Sequence, residues 1–151
     1  MSDSRISRIE DAASEGNLSN LKEILETGFR QIEIDAGLVC AVAYSHVEVG
    51  EYLLCLGADL SYDNNSAAYY AVHNNQIEGL KFAVKNGVNV NANNGHLLNE
   101  AVVTAFNQKD LTILTWLLER GAKKTMLTKS TMKHCATPEI KRVVNKYTRQ
   151  E

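Results

Sequence analysis

The chain has 151 residues, 44% hydrophobic and 23% charged, with a formal net charge of −2; these values sit near the globular average and exclude a largely disordered chain. No run approaches the roughly 18 consecutive apolar residues of a membrane-spanning helix, and Met1 to Glu10 is polar and charged, unlike a signal peptide, so a cytoplasmic protein is expected. Cys40, Cys55 and Cys135 are an odd number at no metal-like spacing, which argues against a disulfide framework and fits a reducing compartment.

Residues Asp3 to Glu15 predict an opening helix, capped by Ser4, with Ile6, Ile9, Ala12 and Ala13 on one face and Glu15-Gly16-Asn17 as its break. A second helix, Leu18 to Glu26, is closed by Gly28, whose missing Cβ suits the left-handed backbone just past a helix end. This unit is then restated. GNLSNLKEILETG, SHVEVGEYLLCLG, NQIEGLKFAVKNG and KDLTILTWLLERG close at Gly28, Gly57, Gly87 and Gly121. Ten residues before each glycine stand Leu18, Val47, Ile77 and Leu111; four and three before it stand Ile24 and Leu25, Leu53 and Leu54, Ala83 and Val84, Leu117 and Leu118. That spacing makes one apolar helical face.

Each segment between glycines holds a short turn and a first helix centred on Ala41, Ala71 or Ala101. Helices of about ten residues are marginal alone in water, so these pairs are expected to be stable only as a stack in which each buries its Leu, Ile and Val face against the next. The glycines are 29, 30 and 34 residues apart. The long interval takes its extra residues in AVVTAFNQKD, which predicts a first helix about one turn longer or a wider loop after it. At the end, Ser130 to Cys135 predicts the first helix of a degenerate fifth unit, and Thr137 as N-cap with Pro138 opens its second. Ile140, Val143 and Val144 form its inner face and Lys141, Arg142, Lys146 and Arg149 its outer one.

HVEVGEYLLCLGADL resembles the second helix and following turn of an ankyrin repeat, and VNVNANNGHLLNEAV resembles that family's turn, finger and first helix. AGLVCA, SAAYYA and HLLNEA stand where the family writes T-P-L-H-x-A, and two of the repeats are shorter than its norm of about 33 residues, the loss falling in the finger. The fold class implied is all-α, an ankyrin-like solenoid of stacked helix-turn-helix repeats with short finger turns. It would be a single domain over 1–151, with units at about 3–29, 30–59, 60–90 and 91–123 and a closing cap at 124–151.

The resemblance also implies a non-catalytic protein-interaction module without cofactor or metal, an inhibitor or adaptor that acts by occupying a partner's surface. In that family the partner meets the finger tips and the exposed, concave side of the first helices. Residue by residue this points to Ala43, Tyr44, Tyr69, His73, Asn74, Asn99, Val103 and Thr104 on the first helices. On the fingers it points to Glu33, Asp35, Tyr62, Asn64, Asn65, Asn93, Asn94 and Gly95. Tyrosine gives contact area at low entropic cost and asparagine adaptable hydrogen bonding. The finger asparagines have a second explanation, since asparagine also tolerates the left-handed backbone of tight turns.

Signals for chemistry are absent: there is no glycine-rich phosphate loop, paired-cysteine motif or H-E-x-x-H. His46 and His96 read as structural, matching the family's G-H and signature-threonine positions. His134 and Cys135, adjacent on a helix, project about 100° apart and are poorly placed to share a metal. Cys40 and Cys55 read as packed thiols, and Trp116, in one column with Glu23, Tyr52 and Phe82, as packing at the edge of the core.

Charge divides along the chain. Up to Glu119 there are seven basic residues against sixteen acidic ones; from Arg120 onward there are nine against two. The basic end suggests an alternative, binding of nucleic acid or an acidic partner through Lys141, Arg142 and Lys146, although Tyr147 alone offers no base-stacking platform. Opposed charge at the two ends also allows weak head-to-tail self-association of an otherwise monomeric chain.

Overall fold

A computed structural model describes residues 2–147; Arg149 of the basic end lies outside them. Among the described residues every regular element is helical and there is no strand. Four helix pairs follow one another: α1 (Ser2–Ser14) with α2 (Leu18–Leu25), α3 (Gln31–Ala43) with α4 (Val47–Cys55), α5 (Tyr62–His73) with α6 (Ile77–Lys85), and α7 (Ala92–Gln108) with α8 (Thr112–Glu119). The first helices pack in series, α1 on α3, α3 on α5 and α5 on α7, and each also packs on its own second helix. Since α1 already begins at Ser2, Ser4 is inside the helix and is not its cap.

The column four before each glycine, Ile24, Leu53, Ala83 and Leu117, is buried in the core, whereas Leu18, Val47, Ile77 and Leu111, ten before it, are half-buried and pack against the core's edge. Ala41, Ala71 and Ala101 are buried where first helices approach one another, and Leu53, Leu80, Leu114 and Leu117 are fully buried. Each such leucine contributes about 1.5–3 kcal/mol of burial, collected only while the stack is unbroken. Gly28, Gly57, Gly87 and Gly121 all have φ between +94° and +110°, as expected of the residue that ends each second helix. Cys55 departs from expectation: it is exposed. It lies two residues past Leu53, about 200° around the helix, and so points away from the core that Leu53 faces.

The fingers are replaced by single left-handed turns. Asp63, Asn64 and Asn65 have φ of 53°, 56° and 64°, and Asn93, Asn94 and Gly95 have φ of 54°, 56° and 77°. The Asn93 side-chain amide donates to the Asn64 carbonyl, tying one turn to the next. Between the first two units even this turn is missing: α3 starts at Gln31, so Glu33 and Asp35 belong to the helix and both are buried. They are structural caps rather than finger-tip contacts. Glu33, 1% exposed, accepts from the Arg30 amide at 2.7 Å and the Arg5 guanidinium at 2.8 Å, and Asp35 accepts the Asp59 amide of the next connection at 2.7 Å. The carboxylates thereby satisfy amides left unpaired at the chain's turns.

In the long unit the extra residues extend the first helix: α7 spans 17 residues where α5 spans 12, and it ends at Lys109 in the left-handed conformation. The closing unit is more broken than its sequence predicts. Ser130 to Cys135 is not one helix but α9 (Lys129–Met132), capped by the Thr128 hydroxyl, followed by a 3-10 turn at His134–Ala136. Then α10 (Pro138–Lys146) opens with Thr137 extended and Pro138 first. Ile140 and Val144 are buried, Val143 is half-buried, and Lys141, Arg142 and Lys146 are exposed.

Candidate recognition surface

The exposed side of the first helices carries two adjoining features. The first is an aromatic cluster. From α5 come Tyr69, Tyr70 and His73, and from α7 come His96 and Glu100. The Tyr69 ring stacks on His96 at 4.3 Å, nearly parallel, and meets Tyr70 edge-on at 5.2 Å. His73 Nδ1 lies 2.8 Å from Glu100 Oε1, and the Tyr69 hydroxyl donates to the other Glu100 oxygen at 3.3 Å. Burial pushes the Tyr69 phenol above its ordinary value and the Glu100 carboxylate adds to it. The two aromatic residues are thus held in place by one carboxylate supplied from the next unit.

The second feature is a groove of about 260 Å³ between α1, α3 and the start of α5. Ile6, Ile32, Ala36, Val39 and Tyr70 form its apolar wall, with Glu10 and Asp63 also lining it. Ile32 is 45% exposed and Tyr70 43%, so this wall faces solvent. Cys40 is at the same place, half-buried, its thiol 3.9 Å from Glu10 Oε2. Burial raises its pKa, a hydrogen bond with Ser14 opposes this, and Glu10 raises it again. The net result is a protonated thiol and a poor nucleophile at neutral pH.

The residues expected to meet a partner separate into three groups. Tyr44, 49% exposed, and His73 are on the surface, as are Asn64, Asn93 and Asn94, although these asparagines also hold the left-handed turns. Tyr62, Asn65 and Tyr69 are half-buried, Tyr62 in the groove and Tyr69 within the cluster; Val103 is half-buried as well. Asn74 ends α5 and donates to the Ala43 carbonyl at 3.2 Å.

The remaining four are structural. Thr104 is 4% exposed and Ala43 is buried, both turned inward. Asn99 is occupied with the closing unit: its amide donates to the Gly95 and Met126 carbonyls at 2.9 and 3.0 Å, and its oxygen accepts the Thr128 amide at 2.9 Å. Gly95 is buried, with no room for a side chain beside Met126.

Tyr70, Glu100 and Ile32 are not among the residues singled out from the sequence, and Ile6, expected on the packing face of α1, is half-buried in the groove wall. The 3.6-residue spacing of Ser66, Tyr70 and His73 along α5 is the signal that marks Tyr70, one position from Tyr69. Elsewhere, His46 is structural, with Nε2 2.8 Å from the Ser14 carbonyl of the preceding unit. Phe82 is buried and Tyr52 and Trp116 half-buried, with Lys22 and Arg120 over the latter two rings at 5.3 and 5.1 Å. Among the described residues no group of His, Cys, Asp and Glu is arranged to hold a metal ion. Nor is any helix among them long and apolar enough to cross a membrane.

Comparison with known proteins accounts for this arrangement. The family described as Ankyrin repeats (3 copies) matches residues 9–94, more than half of the chain, from within α1 to the turn that opens α7. No curated protein matches significantly. Ankyrin repeats are generally protein–protein interaction modules and typically non-catalytic. The helix pairs, their closing glycines and the matched residues together make this chain a member of the ankyrin-repeat family.

Proposed function

We propose that the chain acts as one stack that binds a partner protein through its first-helix face, the concave side in this family, and works by occupying that partner's surface as an inhibitor or adaptor. The observation that carries this reading is the exposure of Ile32, Tyr44 and Tyr70 on the first helices together with His73, residues that a merely solvated helix face does not require. Tyrosine is the residue most suited to such a role, because it offers a large rigid contact with a polar tip. Three cysteines, an odd number, fit a reducing compartment.

The test is affinity capture from the native cell with the wild-type chain beside a Tyr44→Ala, Tyr70→Ala, His73→Ala variant whose helicity and melting temperature match wild type. One protein enriched by wild type and lost by the variant supports the reading and names the partner. An inhibitor lowers that partner's activity when added in stoichiometric amount; an adaptor leaves it unchanged and is found with a second protein. Capture that survives the triple substitution refutes the reading.

A second reading rests on α10, whose exposed Lys141, Arg142 and Lys146 oppose the buried Ile140 and Val144. Such a face can meet the phosphates of a nucleic acid or an acidic partner. It predicts retention on heparin that falls steeply with salt and is lost when the three cations become glutamate. Elution insensitive to salt removes it.

A further inference from the structure

The first-helix face is short of cations. Between Arg30 and Lys81 the chain holds no lysine or arginine but seven carboxylates, of which Glu33 and Asp35 are buried and Glu48, Glu51 and Glu78 belong to second helices. The two cations that bound this interval lie beside carboxylates, Arg30 3.7 Å from Glu33 and Lys81 3.7 Å from Glu78, and on α1 Arg5 binds Glu33 at 2.8 Å while Arg8 is exposed and does not line the groove. Within the groove between α1, α3 and α5, the wall of Ile6, Ile32, Val39 and Tyr70 has carboxylates on two sides, Glu10 from α1 and Asp63 from the entrance to α5, and no lining residue is a cation. The aromatic cluster next to it adds a third carboxylate, Glu100.

Resting on the reading that this face binds a protein, we infer that the groove receives a segment of the partner in which apolar side chains are flanked by lysine or arginine. The groove is smaller than the roughly 300 Å³ at which small-molecule sites begin, and its wall is solvent-facing, so it fits side chains presented by a chain. The two parts of the segment do different work. Apolar side chains laid on Ile32 and Tyr70 supply affinity by removing apolar area from water. Cations beside Glu10 and Asp63 gain little each, because the sites are partly solvated and screened, but they exclude acidic segments and speed association. Arginine has an additional seat on the open face of an aromatic ring such as Tyr70.

The test is selection of a random peptide library displayed on phage against the full chain, followed by affinity measurement on synthetic copies of the enriched peptides. Enriched peptides are expected to combine Leu, Ile or Phe with two or more Lys or Arg. Their affinity should fall about tenfold or more in Tyr70→Ala and Ile32→Ser and about threefold in Glu10→Gln with Asp63→Asn, magnitudes typical of an apolar anchor and of partly exposed charges. The charge variants keep side-chain shape, and asparagine tolerates the left-handed backbone at Asp63, so they are chosen to fold; unchanged melting temperatures check this.

Peptides that bind this groove without carrying positive charge, or that ignore the charge variants, overturn the inference while leaving the first-helix reading standing. Peptides indifferent to Tyr70→Ala and Ile32→Ser overturn both, as does a selection that enriches nothing. Self-association abolished by those two substitutions makes a second copy the occupant, its basic α10 in the groove, and refutes a separate partner.

Discussion

Gly79 of α6 stands directly against the carbonyl of Val42 in α3: a Cβ built on it would collide with that oxygen, and its own amide donates to Ser45 Oγ at 2.9 Å. The contact joins the second helix of one unit to the first helix of the unit before it, and the atom in the way is backbone, which cannot rotate aside. Gly79→Ala should therefore destabilise the fold by about 1–3 kcal/mol through overpacking, even though alanine in a helix interior is worth up to about 1 kcal/mol over glycine. Urea unfolding measures this. A variant as stable as wild type would mean that α6 is not held this close to α3.

Asn99 shows how the divergent end of the chain is attached. Its three hydrogen bonds reach Gly95, Met126 and Thr128, so one side chain on α7 fixes the segment that leads into α9. Asn99→Ala should cost about 2–3 kcal/mol, three bonds at about 1 kcal/mol each. Hydrogen exchange of residues 124–132 should accelerate more than that of α3 and α4. Uniform acceleration throughout the chain would refute this local role.

These two residues also mark the limit of what the sequence discloses. The apolar columns and closing glycines are legible because helical periodicity and the left-handed cap each constrain residue type at a fixed position. Rotation about a helix axis is not so constrained. In SAAYYAV a shift of one residue, about 100°, decides whether Tyr69 or Tyr70 faces solvent, and both are chemically acceptable at either place. Asn99 and Glu33 were misplaced for another reason: their partners lie 27 to 29 residues away, across a unit boundary that local pattern does not cross. Thr104 fails more simply, because a lengthened first helix carries it back into the core.

Acid should unfold the stack through three carboxylates held below their ordinary values. At Glu33 burial acts upward, but the Arg30 amide, the Arg5 hydrogen bond and the charges of Arg5 and Arg30 together outweigh it. Asp59 is held low by the Ser61 hydroxyl and then its amide; Asp110 by the Thr112 hydroxyl, then the Asn75 side chain and the Thr112 amide. Because each folded value lies below the unfolded one of about 4, the stability they supply is complete above that pH and is lost as pH falls through the folded values. The melting temperature should be level from about pH 7 to 5 and fall below about 4. Glu33→Gln should lower it at neutral pH, with the gap to wild type narrowing in acid; a gap constant down to pH 3 would remove Glu33 from this account.

The left-handed turns separate a structural use of asparagine from a binding use. Asn64 has φ of 56° and ψ of 44° and is exposed, so its conformation can be tested with little change in packing. Asn64→Gly relieves the backbone of any Cβ penalty and should stay within about 0.5 kcal/mol of wild type. Asn64→Val places a β-branched side chain in the same conformation and should cost about 1–2 kcal/mol. Thermal unfolding of both, beside binding of the captured partner, assigns the residue. Loss of stability confined to valine with binding intact in glycine makes it a turn residue. Equal stability of the two variants with binding lost in both makes its amide a contact, and the turn conformation is then not what selects asparagine there.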